Sequence, residues 1–134
     1  MLSSKYYFEF AKKSCGYDNP TSEIKNNVDN LLNKVNQFLS KVAELENITI
    51  EYVATSTIRT EKRNAETDGA KKSLHLIGRA IDIKDTNGKL ANAILNHLDL
   101  LKQYKLCFED PNYTKGWVHL DDRARGGEFR MFKP

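Results

Sequence analysis

Apolar residues recur at steps of three and four after Asn19 and Pro20, and polar residues fill the positions between them. This spacing is typical of a helix with one buried face. Asn19 is a favourable N-cap, Pro20 suits the first helical turn, and Glu23 lies where the helix dipole favours an anion. The pattern predicts one long amphipathic helix that ends at about Leu45. It lasts only about three heptads, so we expect it to pack on a sheet rather than in a coiled coil.

Short runs rich in β-branched and aromatic residues predict the strands of a small antiparallel sheet. They cover residues 48–54, 80–84, 106–108 and 117–120, with an edge strand at 128–132. A second helix is expected over residues 90–104, and the aromatic residues of 3–17 suit either a helix or a packed arm. Residues 60–72 are polar without an apolar period, which predicts a long functional loop. This order of elements indicates an α+β fold with the sheet against the long helix.

Length and composition narrow the class of protein. A chain of 134 residues is expected to form a single domain, residues 1–134, and 40% apolar residues indicate an ordinary globular protein. The 21 Lys and Arg residues against 18 Asp and Glu leave a charge of +3, too small and too evenly mixed to indicate nucleic-acid binding. Cys15 and Cys107 lie far apart and predict neither a disulfide framework nor a thiolate zinc site.

The start of the chain lacks the unbroken apolar stretch of a secretory signal. No run approaches the ~20 apolar residues that cross a bilayer. We therefore expect a protein that is made in the cytoplasm and does not insert into membranes. If it acts outside the cell, it depends on another route of release. We also expect it to be a monomer.

His75 lies seven residues before a carboxylate that needs a partner, Asp82, and His119 lies on another predicted core strand. Asp82 stands between two isoleucines in a predicted strand, where an ionised group without a partner is costly to bury. Gly78 allows a tight bend that would bring His75 over Asp82. If the strand of His119 pairs nearby, two imidazoles and one carboxylate converge and leave a fourth tetrahedral position for water.

Such a ligand set would suit a catalytic zinc ion. Two imidazoles favour zinc over magnesium, and too few oxygen ligands are present for calcium. The spacing of His75 and Asp82 is also typical of a surface hydrogen bond, so spacing alone leaves both readings open.

Two motifs in this order carry a resemblance to a known family: Ser73-x-His75-x-x-Gly78-x-Ala80-x-Asp82 and then Trp117-Val118-His119. They resemble the zinc D-alanyl-D-alanine carboxypeptidases and murein endopeptidases, a group with phage endolysins and, at the fold level, the hedgehog signalling domain. Residues 56–60, Ser-Thr-Ile-Arg-Thr, are similar to the Ser-Gly-Tyr-Arg-Ser/Thr segment of that family. The likeness extends over residues 6–125.

The resemblance implies a role for several residues. His75, Asp82 and His119 would be the ligands of Zn²⁺. Arg59 would bind a carboxylate of the substrate, which suits its planar guanidinium. Ser73 would offer a hydroxyl to the substrate or to the residues around the metal.

Two acids are candidates for the general base. Many family members carry an acid or a histidine just before the last ligand, but residues 114–116 are Thr-Lys-Gly. Glu109 is our choice for the base, because phage-type relatives carry an acid there and glutamate reaches far. Asp121, on the strand face of His119, is the rival and could instead be structural. Trp117 either lines a peptide groove or packs in the core.

The implied function is zinc-dependent hydrolysis of peptide bonds involving D-amino acids in peptidoglycan stem peptides or cross-links. The partner would be the peptidoglycan peptide. The protein would reach it after release from the cytoplasm in the way that phage endolysins are released. An alternative is a zinc-containing module that binds wall peptide or another partner without cleaving it. A chance motif in a structural phage protein is a third reading.

Overall fold

The fold consists of a five-stranded sheet and five α-helices in the computed structural model, which describes residues 1–134. This confirms the predicted α+β class. The helices are α1 (Ser4–Cys15), α2 (Ser22–Glu46), α3 (Glu61–Glu66), α4 (Lys89–Leu95) and α5 (Asp99–Tyr104). The strands are β1 (Ala54–Ser56), β2 (Ala80–Asp85), β3 (Cys107–Glu109), β4 (Gly116–Asp121) and β5 (Met131–Phe132).

The strands lie in the order β1-β2-β4-β3-β5. Three pairings are antiparallel as predicted, whereas β5 runs parallel to β3 and is shorter than the expected edge strand. None of the helices combines the length and the apolar character that crossing a membrane requires.

Helix α2 confirms the long amphipathic helix. It contributes seven buried apolar side chains to a core of 24 buried residues that also takes in α1, α4, α5 and the sheet. The predicted start was wrong by two residues, since Asn19 adopts a left-handed φ of +54° and Thr21 caps the helix. The Thr21 hydroxyl accepts a hydrogen bond from the Ile24 N–H at 3.2 Å, which satisfies one free donor of the first turn.

The aromatic N-terminal segment forms a helix rather than an extended arm. Ser3 caps α1 through a hydrogen bond from the Tyr6 N–H at 3.1 Å. The Tyr7 ring is fully buried, and its hydroxyl donates to the Ala80 carbonyl at 2.9 Å. This bond ties α1 to the start of β2, which is the strand that carries Asp82.

The strand predicted over residues 48–54 is mostly wrong, because β1 begins only at Ala54. Strand β1 lies at the edge of the sheet and has β2 as its one partner. Ala54 pairs with Ile83 in antiparallel register, and β2 ends two residues after Ile83, at Asp85. Residues more than two positions before Ala54 therefore have no strand beside them. Ile48 and Ile50 still pack against the core, which explains their apolar character.

The helix predicted over residues 90–104 is broken into α4 and α5. At the break, Asn96 Nδ2 and His97 Nε2 bind the Glu46 carboxylate at 2.8 and 2.9 Å. The break therefore fastens this segment to the end of α2, an interaction that helical spacing cannot reveal.

The prediction of an irregular loop over residues 60–72 was wrong for its first half, which forms α3. Thr60 caps this helix by accepting a hydrogen bond from the Arg63 N–H at 3.1 Å. Only Asn64 is buried within α3, so the helix shows no apolar period.

The pairing of β2 with β4 positions the site. Asp82 stands directly opposite His119, Ala80 opposite Asp121, and Lys84 opposite Trp117. Side chains that alternate along a strand share a face, so these pairs lie on one side of the sheet. The register therefore brings the second histidine to Asp82.

Gly78 makes the turn between His75 and β2 with a φ of +74°. A Cβ atom at this position would lie 2.8 Å from Cγ2 of Val28, on α2. Glycine is therefore required here both by the left-handed backbone and by the close approach of the helix.

Replacing Gly78 with alanine is expected to lower the free energy of unfolding by about 2–4 kcal/mol, since strain in the left-handed region and a clash add together. Gly16→Ala is the matched control, because Gly16 has a φ of +71° but faces open space. Its cost should be about 1–2 kcal/mol. Denaturant unfolding measures both changes, and equal losses would contradict the role of close approach.

Candidate metal centre

Three predicted ligands meet around one oxygen of Asp82. His119 Nδ1 lies 2.8 Å from Oδ1 of Asp82, and His75 Nε2 lies 3.3 Å from the same oxygen. One ligand atom from each residue falls within 4.8 Å of the other two. The fold therefore gathers two imidazoles and a carboxylate that are far apart in the chain.

His75 is held in one orientation by the backbone. Its Nδ1 lies 2.8 Å from the Thr57 carbonyl oxygen, which can only accept a hydrogen bond, so Nδ1 carries the proton. The Nε2 lone pair is thereby left facing Asp82. His75 sits in a short 3₁₀ turn, Leu74–Leu76, whose cap is the Ser73 hydroxyl at 3.2 Å from the His75 N–H.

His119 is held by a second carboxylate on its far side. Its Nε2 lies 2.8 Å from Oδ2 of Asp121. Arg125 grips both oxygens of Asp121 at 2.8 and 2.9 Å, and its guanidinium lies 3.5 Å from the centre of the Phe132 ring. With Nε2 donating to Asp121, Nδ1 is free to be the ligand, in the manner of a carboxylate–histidine–zinc triad.

The second oxygen of Asp82 is held by Arg59, at 3.3 Å. Arg59 Nε also donates to the Ser56 hydroxyl at 2.9 Å, and its Nη1 to Asn64 Oδ1 at 3.4 Å. Asn64 is pressed against Gly69, where a Cβ atom would lie 2.0 Å from Oδ1. The α3 segment therefore helps to fix the arginine that orients Asp82.

The titration behaviour of the metal-free cluster follows from these contacts. Burial raises the pKa of Asp82, but the His75 and His119 imidazoles outweigh it and hold that pKa well below its usual range. Burial lowers the pKa of His119, but hydrogen bonds to Asp121 and Asp82 outweigh it and raise the pKa to about 10. The site is thus built to hold a positive charge between its carboxylates.

An open cleft of about 540 Å³ lies over this cluster. Glu109 lines it and is half-buried, and its carboxylate makes no hydrogen bond or ion pair within the chain. Burial raises the pKa of Glu109, partly offset by His119. All the residues predicted for the site line this cleft: Arg59, Ser73, His75, Asp82, Glu109, Trp117, His119 and Asp121.

The donor set fits zinc. Two ligand atoms that each lie about 2.0–2.1 Å from a tetrahedral zinc ion are separated by roughly 3.3 Å. The separation of His75 Nε2 from Asp82 Oδ1 is 3.3 Å, and the 2.8 Å to His119 Nδ1 needs only slight widening. Three protein ligands beside an open cleft are the arrangement of a catalytic rather than a structural zinc centre.

Comparison with known proteins agrees with this class of site. The family model described as Peptidase M15 matches residues 8–121, so the chain belongs to the Peptidase M15 family. Membership of this family of zinc enzymes indicates a metallopeptidase, with His75, Asp82 and His119 as its candidate metal site. No curated protein and no solved structure gives a significant match to the chain.

Two supporting groups were missed in the sequence. The Thr57 carbonyl that orients His75 leaves no trace, since every residue carries a carbonyl. Arg125 lies in an irregular segment, so no helical or strand spacing links it to Asp121. The only available signal was the opposite charge of two residues four positions apart.

We predict that the chain binds one Zn²⁺ and that its affinity rises with pH. The raised pKa of His119, about 10, keeps the metal-free imidazole protonated at neutral pH, and a ligand must be neutral. Protons therefore compete with zinc below about pH 10, and calorimetry in buffers of different ionisation enthalpy should show proton release.

His75→Ala should abolish zinc binding, whereas His97→Ala, remote from the cluster, should retain it. Zinc retained by His75→Ala would contradict the assignment.

Arg125→Gln is expected to weaken zinc binding about 10- to 100-fold, because Asp121 then loses the partner that aims it at His119. A competition titration with a chromogenic chelator measures the change, and the visible spectrum of the Co²⁺ form reports altered geometry. Arg130→Gln removes an equal charge from an exposed side chain and should leave the affinity unchanged. An unchanged affinity in Arg125→Gln would show that Asp121 does not depend on this arginine.

Proposed function

We propose that this chain is a zinc-dependent peptidase that hydrolyses peptide bonds involving D-amino acids in peptidoglycan stem peptides or cross-links. The observation that carries the proposal is a free carboxylate, Glu109, in the same cleft as the His75–Asp82–His119 cluster. The family supports peptidase chemistry. The motif around His75 and the Trp117-Val118-His119 sequence support the choice of substrate.

The chain's own residues divide the work of hydrolysis. When bound by His75, Asp82 and His119, zinc supplies a Lewis acid that polarises the scissile carbonyl and acidifies water. Glu109 accepts the proton of the attacking water and returns it to the leaving amine. The raised pKa of Glu109 suits this task, because a carboxylate with a pKa nearer the working pH is a better proton acceptor, and its protonated form can still donate to the amine.

Asp121 is less suited to act as the base. Its Oδ1 accepts from Arg125 and from the Arg123 N–H, and its Oδ2 accepts from Arg125 and His119. These bonds hold its pKa low, even though burial opposes them. We therefore assign Asp121 to positioning His119.

Arg59 remains able to bind a substrate carboxylate although it holds Asp82. A guanidinium carries five N–H donors. Its hydrogen bonds to Ser56, Asn64 and Asp82 use three of them, which leaves two for a ligand. Ser73 and Trp117 line the same cleft and would contact the peptide beside it.

Glu109→Gln is expected to lower kcat by about 10²–10⁴-fold, since the substitution removes the proton acceptor and keeps the shape. The measurement is release of amino groups from purified murein and from a peptide that ends in D-alanyl-D-alanine. Mass analysis of the fragments identifies the bond that is cut. Zinc content should remain one per chain.

Glu128→Gln is the matched control, because Glu128 is exposed and lies outside the cleft. It should keep full activity, and a chelator should abolish the activity of the wild-type protein. Full activity in Glu109→Gln would refute the assigned base. Zinc-loaded protein that binds these peptides without cutting them would favour the binding-module reading.

A further inference from the structure

A second cleft of about 610 Å³ adjoins the cleft over the metal cluster. The two share five lining residues: Arg59, Lys72, Ser73, Leu74 and Arg123. A ligand held over the metal cluster can therefore extend directly into the second cleft. We call this second site the basic cleft, for the charges described next.

Five basic side chains line the basic cleft, from segments distant in the chain. Two of them are neutralised, since Arg59 pairs with Asp82 and Arg79 pairs with Asp122. The other three have no ion-pair partner, and Glu61 is the one acid in the lining. These three free cations are Lys71, Lys72 and Arg123.

The rest of the lining is largely apolar. Tyr17, Leu76 and Ile77 contribute to the wall, and Ile77 is 41% exposed, so its side chain is available to a ligand. A ligand that suits both features has an aliphatic stem and a negatively charged end. The three free cations are exposed, so a carboxylate would add ion pairs that a neutral peptide cannot form, and a strongly hydrated polymer would gain nothing from the apolar wall.

We propose that the basic cleft is a subsite for a carboxylate-bearing side arm of the peptide substrate, with Lys71, Lys72 and Arg123 as its recognition groups. The inference rests on the proposed function and adds the chemical class of the substrate beyond the scissile bond. Arg59, which lines both clefts, would then bind a carboxylate near the reacting bond. The three free cations would bind a second carboxylate, on the side arm in the basic cleft.

The test compares two acetylated peptides that end in D-alanyl-D-alanine and differ in one upstream residue, glutamate or glutamine. Exposed ion pairs are individually weak, but three together should lower the wild-type KM for the glutamate peptide about tenfold relative to the glutamine peptide. High salt should shrink this ratio. In the combined Lys71→Gln, Lys72→Gln and Arg123→Gln variant the ratio should fall to about one.

Two controls separate recognition from damage. Lys102→Gln removes an exposed charge outside both clefts and should keep the wild-type ratio. Arg123→Lys keeps the charge and should therefore retain most of the preference for the glutamate peptide. A wild-type ratio near one, or a variant that loses activity equally on both peptides, would overturn the subsite.

Calorimetric binding to the zinc-loaded protein distinguishes the failure of this inference from the failure of the proposed function. Preferential binding of the glutamate peptide without hydrolysis would support the subsite and refute the peptidase. Hydrolysis of both peptides without preference would support the peptidase and refute the subsite. Poly(glycerol phosphate) that displaces the glutamate peptide at lower concentration would assign the cleft to a wall polymer and also overturn the proposal.

Discussion

The buried carboxylate of Asp82 governs the arrangement of the side chains that form the site. It is 5% exposed in the middle of a sheet, where an unpaired charge would cost several kcal/mol. Three side chains surround it: an imidazole nitrogen of His75 and one of His119 face Oδ1, and the Arg59 guanidinium donates to Oδ2. A carboxylate so placed is stable only with positive charge beside it, which is the requirement that a bound cation meets.

Each of these three side chains is in turn fixed by a different part of the fold. The Thr57 carbonyl after β1 orients His75, the Asp121 carboxylate at the end of β4 orients His119, and Asn64 in α3 contacts Arg59. The ligands therefore hold one geometry because three separate elements support them. Preorganisation of this kind gives a metal site both its affinity and its reactivity.

The C-terminal residues contribute more than the family match suggests. The match ends at residue 121, yet Arg125 and Phe132 lie beyond it and complete the support of His119. Strand β5 pairs with β3 beside Glu109, so the same segment also borders the proposed base. In this chain the final residues therefore form part of the site, on the side where the cleft is lined by Lys133 and Pro134.

Hydrophobic periodicity was enough to predict the α+β class, the long helix α2 and the core strands β2 and β4, because such patterns are local. The three clustered residues were predicted from two sequence motifs that resemble a known family, since their spacing alone left a surface hydrogen bond equally open. The remaining features depend on contacts between distant segments. The residues before Ala54 form no strand because β2 offers them little to pair with. The second predicted helix is interrupted where His97 contacts Glu46, and α3 forms although it has no apolar face. Likewise the Thr57 carbonyl, the grip of Arg125 on Asp121, and the meeting of Lys72 with Arg123 in one cleft arise from contacts between distant segments, which no spacing along a chain can specify.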